Sequence, residues 1–136
     1  MKALMATHRL MISIKELCKV GEVDMTYNEF IILLALYDKK HYVGTIHQET
    51  LFDKGLIVRT LNSMIEKGLA TKSKEDRGNK YLLTEVGRES VSQLYLDRDH
   101  LRETVFEEDE LKRFEEVKEL LVELDRRMRK HLFNDE

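Results

Sequence analysis

Apolar residues recur along this chain mostly at helical spacing, and one short stretch breaks that rhythm. From residue 3 to 18, Leu4, Leu10, Met11, Ile14, Leu17 and Cys18 form an apolar stripe opposite a polar face, with Gly21 placed to end the helix. Thr26-Tyr27-Asn28-Glu29 has the form of a capping box, in which the Thr oxygen accepts from the amide three residues on and the Glu reaches back. It predicts a second helix through Phe30, Ile31, Leu33, Leu34 and Leu36, leaving at Lys39 and Lys40. That helix is apolar almost all round, so it is the expected buried centre. Tyr42 to Leu51 predicts a short helix, and Asp53 is a suitable N-cap for another that begins at Lys54. This one, residues 54 to 67, is amphipathic through Ile57, Leu61, Met64 and Ile65, and Lys67-Gly68 supplies its left-handed stop.

After Gly68 the period shortens. Residues 69 to 73 and 80 to 83 are extended candidates on either side of the polar Glu75-Asp76-Arg77-Gly78-Asn79, which predicts a hairpin with a charged tip. Helical spacing resumes at Thr84-Glu85-Val86-Gly87 and carries Val91, Leu94, Tyr95, Leu101 and Val105 to an acidic break at Glu107 to Glu110. A last helix places Leu111, Phe114, Val117, Leu121, Leu124, Met128 and Leu132 on a stripe wider than a small domain's own core needs. The fold class is mainly α, with a two-stranded β hairpin inside a helical frame.

Composition sharpens this picture. The 136 residues fit one domain, and the complete lack of proline favours helices with short connections. With 42% apolar and 36% charged residues the chain is neither disordered nor membrane-spanning, and charges interrupt any stretch that could serve as an export signal. One cysteine forms no internal disulfide, so a cytoplasmic setting is expected. The net charge of -3 disguises a segregation. Between Lys54 and Lys80 seven basic residues face three acidic ones, a local +4 that leaves -7 for the rest. Such a segment suits an anionic partner.

A helix, a buried helix, a short helix, a turn, an amphipathic helix and a charged hairpin, in that order, are what a winged helix-turn-helix requires. Residues 25 to 90 resemble the MarR (multiple antibiotic resistance regulator) family of bacterial transcription factors in the order and spacing of five pieces. These are Met25-Thr26 with Glu29-Phe30 and Leu33-Leu34, then Asp53 to Arg59, Glu66-Lys67-Gly68-Leu69, Glu75-Asp76-Arg77, and Leu83-Thr84-Glu85-Val86-Gly87-Arg88. The resemblance implies a DNA-binding lobe at residues 22 to 90 within a single domain, with dimerisation helices at 1 to 20 and 91 to 136. It further implies a homodimeric repressor on a pseudo-palindromic operator in double-stranded DNA, relieved by a small phenolic or lipophilic effector, with no cofactor. Lys54, Arg59, Asn62 and Ser63 would then face the major groove or its phosphates, Arg77 and Lys80 would serve the wing, and Asp76 would orient Arg77. Leu10, Ile14, Leu111, Phe114, Val117, Leu121, Leu124 and Met128 would form the dimer contact.

The chain departs from the family where small hydroxyl residues usually line the recognition helix, showing Gly55, Leu56 and Val58 instead. Leu56 and Val58 either touch thymine methyl groups or pack inside. A winged-helix protein-interaction module without DNA binding is the competing reading. Cys18 on its apolar stripe fits a small buried hydrophobe better than a redox sensor. No two of the five histidines share metal-ligand spacing on one helix, His41 and His47 near Glu49 coming nearest. The acidic run at 107 to 110 and the basic Arg126, Arg127, Arg129 and Lys130 fit the two ends of a helix dipole. No phosphate loop, activated nucleophile or catalytic carboxylate pair points to an enzyme.

Overall fold

The computed structural model describes residues 1–17, 24–105 and 107–133. The described elements are α1 (Lys2–Leu17), α2 (Tyr27–Tyr37), α3 (Val43–Thr50), α4 (Lys54–Glu66), β1 (Ala70–Glu75), β2 (Gly78–Leu83), α5 (Glu85–Val105) and α6 (Glu108–Phe133). They fall into two compact units, Met1–Gln93 and Leu94–Glu136. Cys18 and Gly21, expected as a core residue and a helix stop, lie outside the described residues.

The core of the first unit takes in many of the apolar positions that helical spacing selects, together with Ile32 and Ile46, which the sequence reading did not single out. Ile32, Leu33 and Leu36 of α2 are buried with Ile46 of α3, Ile57, Leu61 and Met64 of α4, Leu69, and Tyr81 and Leu83 of the hairpin. Phe30, Ile31 and Leu34 are only half-buried, because α2 turns one side out of the core. On α1, Leu4 and Leu10 stand exposed.

The start of α2 differs from a capping box in one respect. Thr26 Oγ1 accepts from the Glu29 amide at 3.2 Å, as expected, but the Glu29 carboxylate does not reach back to the Thr26 amide. It is 3% exposed and accepts from the Thr26 hydroxyl at 3.1 Å and from Lys67 Nζ at 3.0 Å. Lys67, the C-cap of α4, also donates to the Asp24 carbonyl at 2.6 Å. A buried carboxylate requires a cation, so the pair ties the entry of α2 to the exit of α4.

The hairpin is longer than alternation alone suggests. Its antiparallel register runs from Ala70 opposite Leu83 to Glu75 opposite Gly78, so only Asp76 and Arg77 make the turn. Gly78 takes φ 110°, which a side chain would oppose, and so lets the strands extend to the tip. The root is fastened by Thr84, whose amide donates to Leu69 O at 3.0 Å and whose hydroxyl donates to Gly68 O at 2.6 Å. Thr84 Oγ1 also accepts from the Gly87 amide at 3.1 Å, capping α5.

In the second unit the acidic residues Glu108, Asp109 and Glu110 form the first turn of α6 and are not a break before it. Carboxylates there complement the helix dipole. Along α6, Glu123 accepts from Arg126 and Arg127, and Arg129 pairs with Asp125 at 3.1 Å. The two arginines, Arg126 foremost, hold the Glu123 carboxyl down at about 2.

Candidate nucleic-acid interface

α3 and α4 are joined by Leu51, Phe52 and Asp53, and each joint residue is fixed. Leu51 closes α3 in the left-handed region at φ 59°, its amide donating to His47 O at 2.8 Å. The His47 ring sets Nδ1 2.7 Å from Phe52 O, and Asp53 accepts from the Leu56 amide at 3.2 Å. These bonds fix the N-terminus of α4, whose free amides and dipole attract anions.

Ile57, Thr60, Leu61 and Met64 face the core, so Lys54, Gly55, Val58, Arg59 and Asn62 make up the exposed face of α4. Leu56 and Ser63 lie half-buried at its margins. Val58 is 38% exposed and so presents its methyl groups outward, while Leu56 divides between core and surface. A Cβ at Gly55 would lie 3.0 Å from Asp53 Oδ2 and 3.4 Å from an Arg59 guanidinium nitrogen. The missing side chain leaves room for Arg59 to lie back along the helix toward its N-terminus.

The wing is joined to the α2–α3 connection by a backbone bridge. The Tyr81 amide donates to His41 O at 2.8 Å, and the His41 ring sets Nδ1 2.9 Å from Tyr81 O. The next residue, Tyr42, caps α3 and reaches the tip: its hydroxyl donates to Glu75 Oε2 at 2.7 Å. The Arg77 guanidinium lies 5.0 Å from the centre of the Tyr42 ring, within cation–π range. The bond to Glu75, then burial, raises the Tyr42 phenol above its ordinary range, against the opposing effect of Arg77.

The residues expected to orient and charge the wing are therefore arranged differently. Asp76 makes no ion pair with Arg77 among the described residues, and Tyr42 is the group that meets the guanidinium. Lys80 is half-buried with Nζ 4.0 Å from Glu75, while Lys72 and Lys74 stand exposed on β1. Charge counting registered those two lysines without assigning them, and Tyr42 gave no sequence signal because its partners lie 33 and more residues away. Arrangements of His, Cys, Asp and Glu able to hold a metal ion are not found among the described residues, and the Nδ1 atoms of His41 and His47 are turned to backbone carbonyls.

Of the residues expected to dimerise the chain, Leu10, Val117, Leu121, Leu124 and Met128 are exposed and Leu111 is half-buried. The side chains of Ile14 and Phe114 lie outside the described set. Leu120, Val122, Leu132 and Phe133 are also exposed on α6. No described helix is long and apolar enough to cross a membrane.

Comparison with known proteins places this geometry. The MarR family model matches residues 23–78. A MarR/EmrR family transcriptional regulator from Acinetobacter sp. ADP1 is 24% identical, covers 92% of this chain and 93% of its own, and superposes with a TM-score of 0.63. FabT of Streptococcus pneumoniae, solved in complex with DNA, is 12% identical over 93% of this chain and 94% of its own, with a TM-score of 0.72. BpsR of Bordetella bronchiseptica, whose DNA binding is regulated by 6-hydroxynicotinic acid, is 17% identical over 91% of each chain, with a TM-score of 0.68. No curated protein matches by sequence.

Proposed function

We propose that this chain is a homodimeric repressor acting in the cytoplasm on a pseudo-palindromic operator, a reading supported by the match of residues 23–78 to the MarR family model and by the likeness of the fold to a MarR/EmrR family transcriptional regulator. The observation that carries the reading is the exposed face of α4, led by Lys54 and Arg59 at a capped N-terminus and flanked by a wing bearing Lys72, Lys74 and Arg77. A helix of this kind fits the major groove, roughly 12 Å wide, and a cationic hairpin fits the negative potential of the minor groove beside it. Val58 supplies apolar contact to thymine methyl groups, and Asn62 supplies hydrogen bonding.

Exposed apolar side chains on α1 and α6 support dimerisation, because a monomer leaves such patches in water at a cost. Two recognition helices about 34 Å apart would then read two half-sites. For release we assign an effector to the open groove of about 450 Å³ lined by Tyr27, Ile31, Leu34, Asp38, Glu49 and Phe52. Its two carboxylates favour a neutral or cationic phenolic or lipophilic compound over an acid.

Fluorescence anisotropy on duplex DNA across a salt series tests the reading. A steep negative slope of log affinity against log salt is expected, made shallower by about 0.9 for each phosphate contact removed by alanine at Arg59 or Arg77. A dimer verified by sedimentation that binds no duplex at low salt, its own promoter region included, would refute it. The outward Val58 would then belong to a protein-interaction surface.

A further inference from the structure

The wing tip places a carboxylate and a guanidinium two residues apart, and they do not pair. Glu75 and Arg77 flank Asp76 at the closed end of the hairpin, where each is exposed. Two opposite charges this close on a solvated turn would ordinarily associate and reduce the field that either presents to a third charge. Tyr42 stands between them. Its hydroxyl holds the Glu75 carboxylate at 2.7 Å, and its ring carries the Arg77 guanidinium at 5.0 Å.

Tyr42 is well anchored for such work. Its carbonyl accepts from the Ile46 amide at 2.9 Å and from the Thr45 hydroxyl at 2.9 Å, and its own amide donates to Thr45 Oγ1 at 3.3 Å. The preceding residue, His41, is bonded twice to Tyr81 of the wing. These bonds hold the Tyr42 backbone at the N-cap of α3, from which the phenol projects to the wing tip. Lys80, 4.0 Å from Glu75, holds the carboxylate on the same side.

We propose that Tyr42 is a positioning residue that separates the charges of the wing, hydrogen-bonding Glu75 and stacking Arg77 so that the guanidinium stays open to a DNA phosphate. Its consequence for DNA rests on the function proposed above; the separation itself does not. Stacking leaves the edge of a guanidinium free, because the ring occupies one flat face while the N–H donors point outward in the plane. A direct ion pair with Glu75 would occupy those same donors. Tyr42 thus fixes which wing charge meets the anion.

The test has one arm without DNA and one with it. In NMR spectra of the full chain, the Arg77 side-chain resonances should show a ring-current shift that survives Tyr42→Phe and vanishes in Tyr42→Leu. The Tyr42 phenol, titrated by ultraviolet absorbance, should fall toward its ordinary range in Glu75→Gln. Absence of the ring-current shift in the unmodified protein overturns the proposal whether or not DNA is bound. In salt-series anisotropy, Tyr42→Phe should lose about one phosphate contact, a slope shallower by about 0.9, and adding Glu75→Gln should restore it. An unchanged slope in Tyr42→Phe, or no rescue by Glu75→Gln, overturns it equally. If the unmodified protein binds no duplex, the repressor reading fails and the two DNA-free readouts still decide the charge separation.

Discussion

Gly87→Ala sets two well-known effects against each other. Gly87 lies in the first turn of α5, and helix propensity alone predicts that alanine there gains up to about 1 kcal/mol. The structure predicts a loss. A Cβ at this position would come 2.2 Å from Leu69 O and 3.2 Å from both Leu69 C and Leu83 Cδ2. Ordinary contact would require a shift of roughly 1 Å, and overpacking of that kind costs about 1 to 3 kcal/mol. The obstacle is a backbone carbonyl already bonded to the Thr84 amide, so the upper end applies. Net destabilisation should be about 2 kcal/mol, a fall in Tm on the order of 8 °C for a chain of this size. Thermal unfolding followed by circular dichroism gives the value, with Gly44→Ala as control because nothing lies within 4 Å of a Cβ there. Gly44→Ala should hold or raise Tm. A Gly87→Ala protein that melts at or above the unmodified one would show that Leu69 yields freely, and the packing argument would be wrong.

Lys67→Met should destabilise by about 2 kcal/mol in urea, because it removes the cation from a carboxylate side chain only 3% exposed, and adding Glu29→Gln should recover part of the loss. At Leu51, held at φ 59°, glycine should be more stable than alanine by about 1 kcal/mol, the reverse of their order inside a helix. Glu123, with its carboxyl at about 2, contributes stability that is fully present above the ordinary carboxylate range and is lost as pH falls through about 2. Carbon-detected titration should find that midpoint, and Arg126→Ala should move it upward. His41→Ala removes the ring contact to Tyr81 O and should speed amide exchange along β2; unchanged protection would show that the backbone bridge suffices.

Where a feature rests on neighbours in the chain, the sequence discloses it. Asp53 caps α4, Gly68 stops it at φ 75°, and Ile57, Leu61 and Met64 are buried, all from spacing within one element. Features that depend on contacts across the fold were hidden. Glu29 looks like half of a capping box until Lys67, 38 residues on, takes its carboxylate. Asp76 looks like the partner of Arg77 until Tyr42 enters from α3. Leu51 sits in a backbone conformation suited to glycine, and local propensity gives no hint of it. For Glu29 and Asp76 a long-range partner outweighs the local preference by which the residue was first read.

These long-range partners concentrate on the wing, for a physical reason. An isolated two-stranded hairpin is marginal in water, and the exposed residues of this one contribute little burial of their own. Ordering a backbone residue costs about 1 to 2 kcal/mol, whereas each hydrogen bond returns a net of about 1 kcal/mol. The hairpin is held at its root by Thr84, in mid-strand by His41 and at its tip by Tyr42, with Tyr81 and Leu83 buried beneath. A wing ordered before it meets a partner does not pay that entropy on binding. Loosening the Thr84 or His41 clamp should therefore weaken binding with the salt slope unchanged, since every cation remains available, whereas removing a cation, or freeing Glu75 to pair with Arg77 as in Tyr42→Phe, should change the slope itself. Those two signatures separate the residues that only order the wing from those that set the charge it presents.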